Sequence, residues 1–193
     1  IQRFPGVSES EWRQRFHGGL VYDEAGQALA PDCPYLPGRV IFYYRDLPQE
    51  PVIPFAAQIL FEDDHILVAD KPHFLPVTPA GRFLTETLLT RLRRETGNDD
   101  LVPLHRIDRE TAGLVLFSKR RDSRERYSAL FRNRLIDKVY EVIAPINPEL
   151  NFPLRYCGHM QAGSPFFRME IGDGEANSET EISLIGSHAG WGH

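Results

Sequence analysis

Between Pro103 and Ser118 the chain passes from its densest run of charge into an unbroken apolar run, Leu114-Val115-Leu116-Phe117. Four consecutive apolar residues closed off by Gly113 and Ser118 offer no polar face to water, so they read as a short buried strand. What precedes a buried strand sits at its mouth. Here that is His105-Arg106-Ile107-Asp108-Arg109-Glu110, with Thr111 and Gly113 permitting the tight turn that feeds the strand. The Asp108 carboxylate is expected between the guanidiniums of Arg106 and Arg109, where flanking positive charge keeps a carboxylate ionised. Such a cluster suits chemistry in a cleft; an ion-pair staple at the strand mouth accounts for it equally.

Elsewhere helix and strand periods are mixed without a strict βα repeat. Ser8 can cap a helix over residues 11–16 that Gly18-Gly19 close. Residues 20–22 and 36–44 read as strands around a polar turn at 23–26, the second entered through Pro37-Gly38. Pro48, Pro51 and Pro54 mark an extended linker. Residues 59–62 and 66–69, split by Asp63-Asp64-His65, form a hairpin. Thr85 is expected to cap a helix running through Leu92, with Gly97 just past its end. Asp122-Ser123 cap another, whose apolar positions Tyr127, Leu130, Phe131 and Leu135 recur at three and four. Further strands are expected at 139–146, 167–171 and 178–186. The expected class is α+β, a mixed or antiparallel sheet flanked by helices. Residues 1–50 form a small N-terminal α/β module, and residues 55–193 the main domain.

Charge narrows the partners. A net −5 over 193 residues disfavours nucleic acid if it is spread evenly. Yet from His105 to Lys138 ten Lys and Arg face five Asp and Glu, a local +5. Phosphates are bound by local clusters rather than by global charge, although a solvated helix face also explains such a stretch. No apolar run approaches the roughly 20 residues that span a bilayer, and the opening Ile1-Gln2-Arg3-Phe4-Pro5 lacks the layout of a secretory leader. Cys33 and Cys157, outside any CxxC pair, make no disulfide framework and read as ordinary core residues in a reduced, cytoplasmic setting. His65, His73 and His159 show no metal-ligand spacing. With no phosphate loop either, no metal or other cofactor is expected.

The stretch HRIDRETAGLVLFSK, from His105 to Lys119, resembles the signature of the RluA-like RNA pseudouridine synthases, in which His-Arg-(Leu/Ile)-Asp is followed by (Thr/Ser)-(Ser/Ala)-Gly. ILFEDDHILVADKP, residues 59–72, resembles the hairpin that opens that family's catalytic domain, and KVYEVIAP, residues 138–145, its Lys-x-Tyr strand. The resemblance covers about residues 55–186. It implies the pseudouridine synthase fold and isomerisation of uridine in ribosomal or transfer RNA by a monomer, with no cofactor, membrane or DNA. Asp108 becomes the catalytic carboxylate, a nucleophile or a base at the ribose; Tyr140 stacks on the target base, and Arg106 fills or braces the position the base vacates. His105, Arg109 and Lys138 join Arg106 in contacting RNA, His105 chiefly as a hydrogen-bonded loop residue. Residues 1–50 resemble an S4-like RNA-binding module.

Two alternatives stand beside this: an RNA-binding protein of the same fold without chemistry, and a glycosidase-type hydrolase. The hydrolase needs a second acid across the scissile bond, and Glu110, two residues away, is poorly placed for it. The chain departs from the family pattern at residues 73–79, where many members have Gly and then His-Pro after the Lys-Pro. It also lacks the late Gly-Arg-x-His-Gln-(Ile/Leu)-Arg motif, so it is expected to be a C-terminally truncated catalytic domain with a basic site residue missing.

Overall fold

Alternate residues of two paired strands make the centre of the first of two units. The computed structural model describes residues 7–44, 50–165 and 168–193, and the chain divides into Ile1–Leu135 and Ile136–His193. In chain order the first unit holds α1 (Glu9–His17), β1 (Val21–Asp23), β2 (Ile41–Tyr43), β3 (Gln58–Glu62), β4 (Ile66–Lys71), α2 (Leu88–Thr96), β5 (Val102–Pro103), β6 (Gly113–Ser118) and α3 (Arg121–Arg132). Strands β3, β4, β6 and β5 lie in that order in one sheet, each neighbouring pair antiparallel. Leu67 pairs with Phe117, and Ala69 with Val115. All four are fully buried. Leu88, Leu89 and Leu92 of α2 join the same cluster, together with Leu75, Val77, Phe83 and Leu101. Burying a Leu or Phe side chain contributes about 1.5–3 kcal/mol, so this cluster outweighs the exposed ion pairs. The period of two continues one step beyond Ala69: Lys71 is the next inward position of β4, and it too is fully buried.

Ser8 caps α1 and Gly18 ends it, as expected, and Glu11 completes a capping box with Ser8. The strand pair β1–β2 is antiparallel. A separate small cluster of Trp12, Val21 and Leu29 lies under it, with Phe16 and Cys33 partly buried alongside. Two cap assignments need correction. Thr87, not Thr85, caps α2 by accepting from the Thr90 N–H at 3.2 Å, while the Thr85 N–H donates to the Glu50 carboxylate at 2.9 Å. Helix α3 begins at Arg121 and has no side-chain cap. Asp122 lies in its first turn, where its carboxylate receives Arg120 at 3.0 and 2.6 Å and still meets the positive end of the helix dipole.

The second unit holds β7 (Ala144–Pro145), β8 (Leu154–Ala162), β9 (Met169–Gly172), β10 (Ser178–Ile182), β11 (Ser187–His188) and β12 (Trp191–Gly192). They form two antiparallel sheets, ordered β10-β8-β9 and β11-β12-β7. The strand expected over 139–146 shrinks to Ala144–Pro145, paired with Trp191 and Gly192. Val139, Tyr140, Val142 and Ile143 lie outside any ladder and are exposed. β-Branched residues favour a strand only where a partner strand receives them. The strand expected over 167–171 runs Met169–Gly172, Phe167 lying outside the described residues. Cys157 is exposed on β8 and is therefore not a core residue. Among the described residues every buried apolar side chain belongs to the first unit. No helix among them is long and apolar enough to cross a membrane. The α+β class expected from the pattern holds, with antiparallel sheets throughout.

Candidate active site

Gly113 opens β6 with a φ of 125°, a conformation that L side chains rarely adopt. The chain reaches it from a bend at residues 108–111, closed by the Thr111 N–H donating to the Asp108 carbonyl at 3.1 Å. That bond leaves the two central carbonyls of the bend, those of Arg109 and Glu110, in need of donors from elsewhere. Both find them at the end of β4, one on its last residue and one just beyond it. Lys71 Nζ donates to the Arg109 carbonyl at 3.2 Å, and also to Leu75 at 2.8 Å and Pro72 at 3.0 Å. His73 Nδ1 lies 2.6 Å from the Glu110 carbonyl.

Asp108 and Arg106, together with Ile107 and Arg109, line one part of a cleft of about 390 Å³; Pro76, Val77, Thr78 and Ala80 supply the rest. The Asp108 carboxylate is exposed and takes part in no ion pair among the described residues. The expected pairing with a flanking guanidinium is not made, because Arg109 turns to Glu110 instead, its Nε and Nη2 reaching Oε1 at 2.8 and 2.6 Å. The hydrogen bond from Arg109 lowers the pKa of Glu110. Burial pushes Lys71 down from 10.5 to about 8, while the carboxylates of Glu110 and Asp108 pull it the other way.

His105 serves the loop. The Leu116 N–H donates to its Nε2 at 3.2 Å, and its ring stacks on Phe131 with centroids 4.8 Å apart. The basic stretch is less free than its sequence suggests. Lys119 pairs with Glu62, Arg120 with Asp122, Arg121 with Asp100 and Arg132 with Glu125. Arg106, Arg126, Arg134 and Lys138 make no ion pair among the described residues. Exposed pairs contribute only about 0–1 kcal/mol each, so phosphates can compete for the paired bases too. Tyr140, 63% exposed, and Lys138, also exposed, belong to the second unit. The first unit brings together Arg106, Asp108 and Arg109 at the cleft, with His105 bracing the same loop from behind.

Lys71, which the sequence marks only as the end of a hairpin, holds the carbonyls beside the cleft. The signal was available: Leu67, Ala69 and Lys71 alternate, which puts the lysine on the core face of its strand. Among the described residues no group of three or more His, Cys, Asp and Glu could hold a metal ion.

Residues 65–192 match the family described as RNA pseudouridylate synthase. The chain is 30% identical over 162 residues to an uncharacterized RNA pseudouridine synthase of Synechocystis, covering 84% of this chain and 54% of that protein. It is 40% identical over 82 residues to the tRNA pseudouridine(31) synthase of Saccharomyces cerevisiae, covering 42% of this chain and 20% of the yeast protein. With the ribosomal large subunit pseudouridine synthase D of Pseudomonas aeruginosa it shares 36% identity over 90 residues, 45% of this chain and 28% of that one. A solved structure of the human RNA pseudouridylate synthase domain containing 1 is similar at 17% identity and a TM-score of 0.48, over 69% of this chain and 52% of the human one. The chain thus spans about half the length, or less, of these curated relatives. With two thirds of its residues inside the family match and the Asp108 segment at its cleft, the chain belongs to the RNA pseudouridylate synthase family.

Proposed function

We propose that this protein is an RNA pseudouridine synthase that isomerises specific uridines of structured ribosomal or transfer RNA. Asp108 acts at the ribose, as nucleophile or base, while the glycosidic bond opens and the freed base turns to rejoin the sugar through C5. Isomerisation conserves every atom and the overall oxidation level, so the reaction consumes no redox partner. A base inside a stack must first be drawn out; Arg106 braces the vacated position and Tyr140 stacks on the extruded ring. Arg109, Lys138 and the loop held by His105 contact the RNA around it. The protein works as a cytoplasmic monomer, and residues 1–50 act as a small RNA-binding module beside the catalytic domain, residues 55–193.

The observation that carries this reading is the Asp108 carboxylate, exposed in a cleft on a bend whose carbonyls are held from β4 and free of ion pairs among the described residues. The names of the yeast and Pseudomonas relatives support transfer and ribosomal RNA as the substrate classes. A hydrolase is disfavoured because Glu110, the carboxylate nearest in sequence, is engaged by Arg109. The test is to incubate the protein with bulk cellular RNA and map pseudouridines. New sites in transfer or ribosomal RNA support the reading. Released uracil without pseudouridine favours the hydrolase, and unchanged RNA that nevertheless binds favours a non-catalytic protein.

A further inference from the structure

We infer that His73 is a positioning residue for Asp108, holding the catalytic bend through the Glu110 carbonyl; this rests on the pseudouridine synthase reading above. The bend from Asp108 to Thr111 is closed by one hydrogen bond of its own, from the Thr111 N–H to the Asp108 carbonyl. The 109–110 peptide plane takes no part in that bond and turns unless its carbonyl is held from outside; the 110–111 plane carries the Thr111 N–H itself, and a hold on its carbonyl fixes it from the opposite edge. Lys71 holds the first, through the Arg109 carbonyl at 3.2 Å. His73 holds the second, with Nδ1 2.6 Å from the Glu110 carbonyl. A carbonyl oxygen only accepts, so Nδ1 carries the proton in this contact.

The backbone around His73 is sharply bent. Phe74, the next residue, adopts a φ of 67°, rarely taken by a bulky L residue. Its own ring is 53% exposed, and the turn it makes leads into the fully buried Leu75. The same turn brings the Leu75 carbonyl to within 2.8 Å of Lys71 Nζ, which joins the two clamps into one unit. Residues held in sparsely populated backbone conformations cluster at functional sites. This is also the stretch in which the chain departs from the family pattern after Lys71-Pro72. A rotated peptide at 109–110 or 110–111 shifts the Asp108 carboxylate against the ribose, and a misplacement of about 1 Å costs on the order of 100-fold in rate.

The test compares His73→Ala, His73→Gln and His73→Asn with the unaltered protein. An Asn amide can place its N–H₂ where Nδ1 sits, whereas Gln reaches the position of Nε2. Rates of pseudouridine formation are measured against in vitro transcribed ribosomal RNA and a transfer RNA pool, together with hydrogen exchange at the Thr111 amide. The expected result is that Ala and Gln lose at least tenfold in kcat with KM within twofold, and that Thr111 exchanges at least tenfold faster. Asn is expected to restore both within about threefold. A kcat within twofold of the unaltered protein in His73→Ala overturns the inference. So does an Asn variant as poor as Ala, an effect confined to KM, or unchanged Thr111 exchange. If the unaltered protein makes no pseudouridine, the functional reading fails instead, and Thr111 exchange alone then decides whether the clamp exists.

Discussion

Lys71 Nζ donates to the Arg109 carbonyl at 3.2 Å, so the last residue of a core strand holds the 109–110 peptide, one residue past Asp108. The stiffness of the sheet is passed to the cleft through one ammonium group. Lys71 sits inward because Leu67 and Ala69 do, and its three N–H bonds meet the carbonyls of Pro72, Leu75 and Arg109.

Lys71→Met keeps the length and apolar volume of the side chain but leaves those carbonyls without their donor. An unsatisfied buried carbonyl costs about 1–3 kcal/mol, partly offset by removal of a buried charge. The expected outcome is a net loss of about 1–3 kcal/mol in urea unfolding and a fall in kcat larger than the rise in KM. A Met variant of full stability and full kcat contradicts the role of this lysine.

The same residue gives a pH dependence. Burial lowers its pKa in the folded protein to about 8, against 10.5 for the free group. Below pH 8 both folded and unfolded chains hold the proton, and the cost of burying the charge is present in full. Between about 8 and 10.5 only the unfolded chain holds it, so the contribution of Lys71 to stability rises with pH across that window. Turnover is expected to move the other way, because a neutral amine has two N–H bonds for three carbonyls. The measurement is the stability difference between the unaltered protein and Lys71→Met from pH 7 to 10; it should shift in favour of the lysine above about pH 8, and a flat difference contradicts the assignment.

Gly113→Ala tests the backbone at the mouth of β6. A Cβ there meets nothing within 4 Å, but φ is 125°, so the cost is conformational rather than steric. A loss of about 1–3 kcal/mol in unfolding free energy is expected, read by urea denaturation. Wild-type stability would show that the bend tolerates an ordinary residue.

How much of this was legible beforehand differs from place to place. Ser8 and Gly18 announced α1 because caps are local, and the hairpin of β3 and β4 was legible because the chain itself brings its strands together. β8 was missed: Leu154, Tyr156, Met160 and Ala162 do alternate with polar residues, but Gly158 breaks the run at its centre, and the strand is held by β9 and β10, partners that no local pattern names. The reverse error occurred at 139–143, where strand-favouring residues carry no ladder. At the site, Asp108 and Arg106 were legible as a charged run before an apolar strand. The partner of Arg109 was not, because Glu110 competes with Asp108 for it and only the shape of the bend decides.

Tyr140 carries the base-stacking proposal. Tyr140→Phe keeps the ring, whereas Tyr140→Ala removes it, and stacking is worth about 1–3 kcal/mol per base. Ala is therefore expected to lose far more activity on RNA than Phe. Equal losses in the two variants would assign the contribution to the hydroxyl instead.

The most direct test of the whole account is Asp108→Asn, which keeps the shape of the side chain and removes its charge. Pseudouridine formation on bulk cellular RNA is expected to fall to background. RNA affinity should stay within a few-fold of the unaltered protein, because phosphate contacts carry most of the binding. Turnover close to that of the unaltered protein in the Asn variant would contradict the assignment of Asp108 as the catalytic carboxylate.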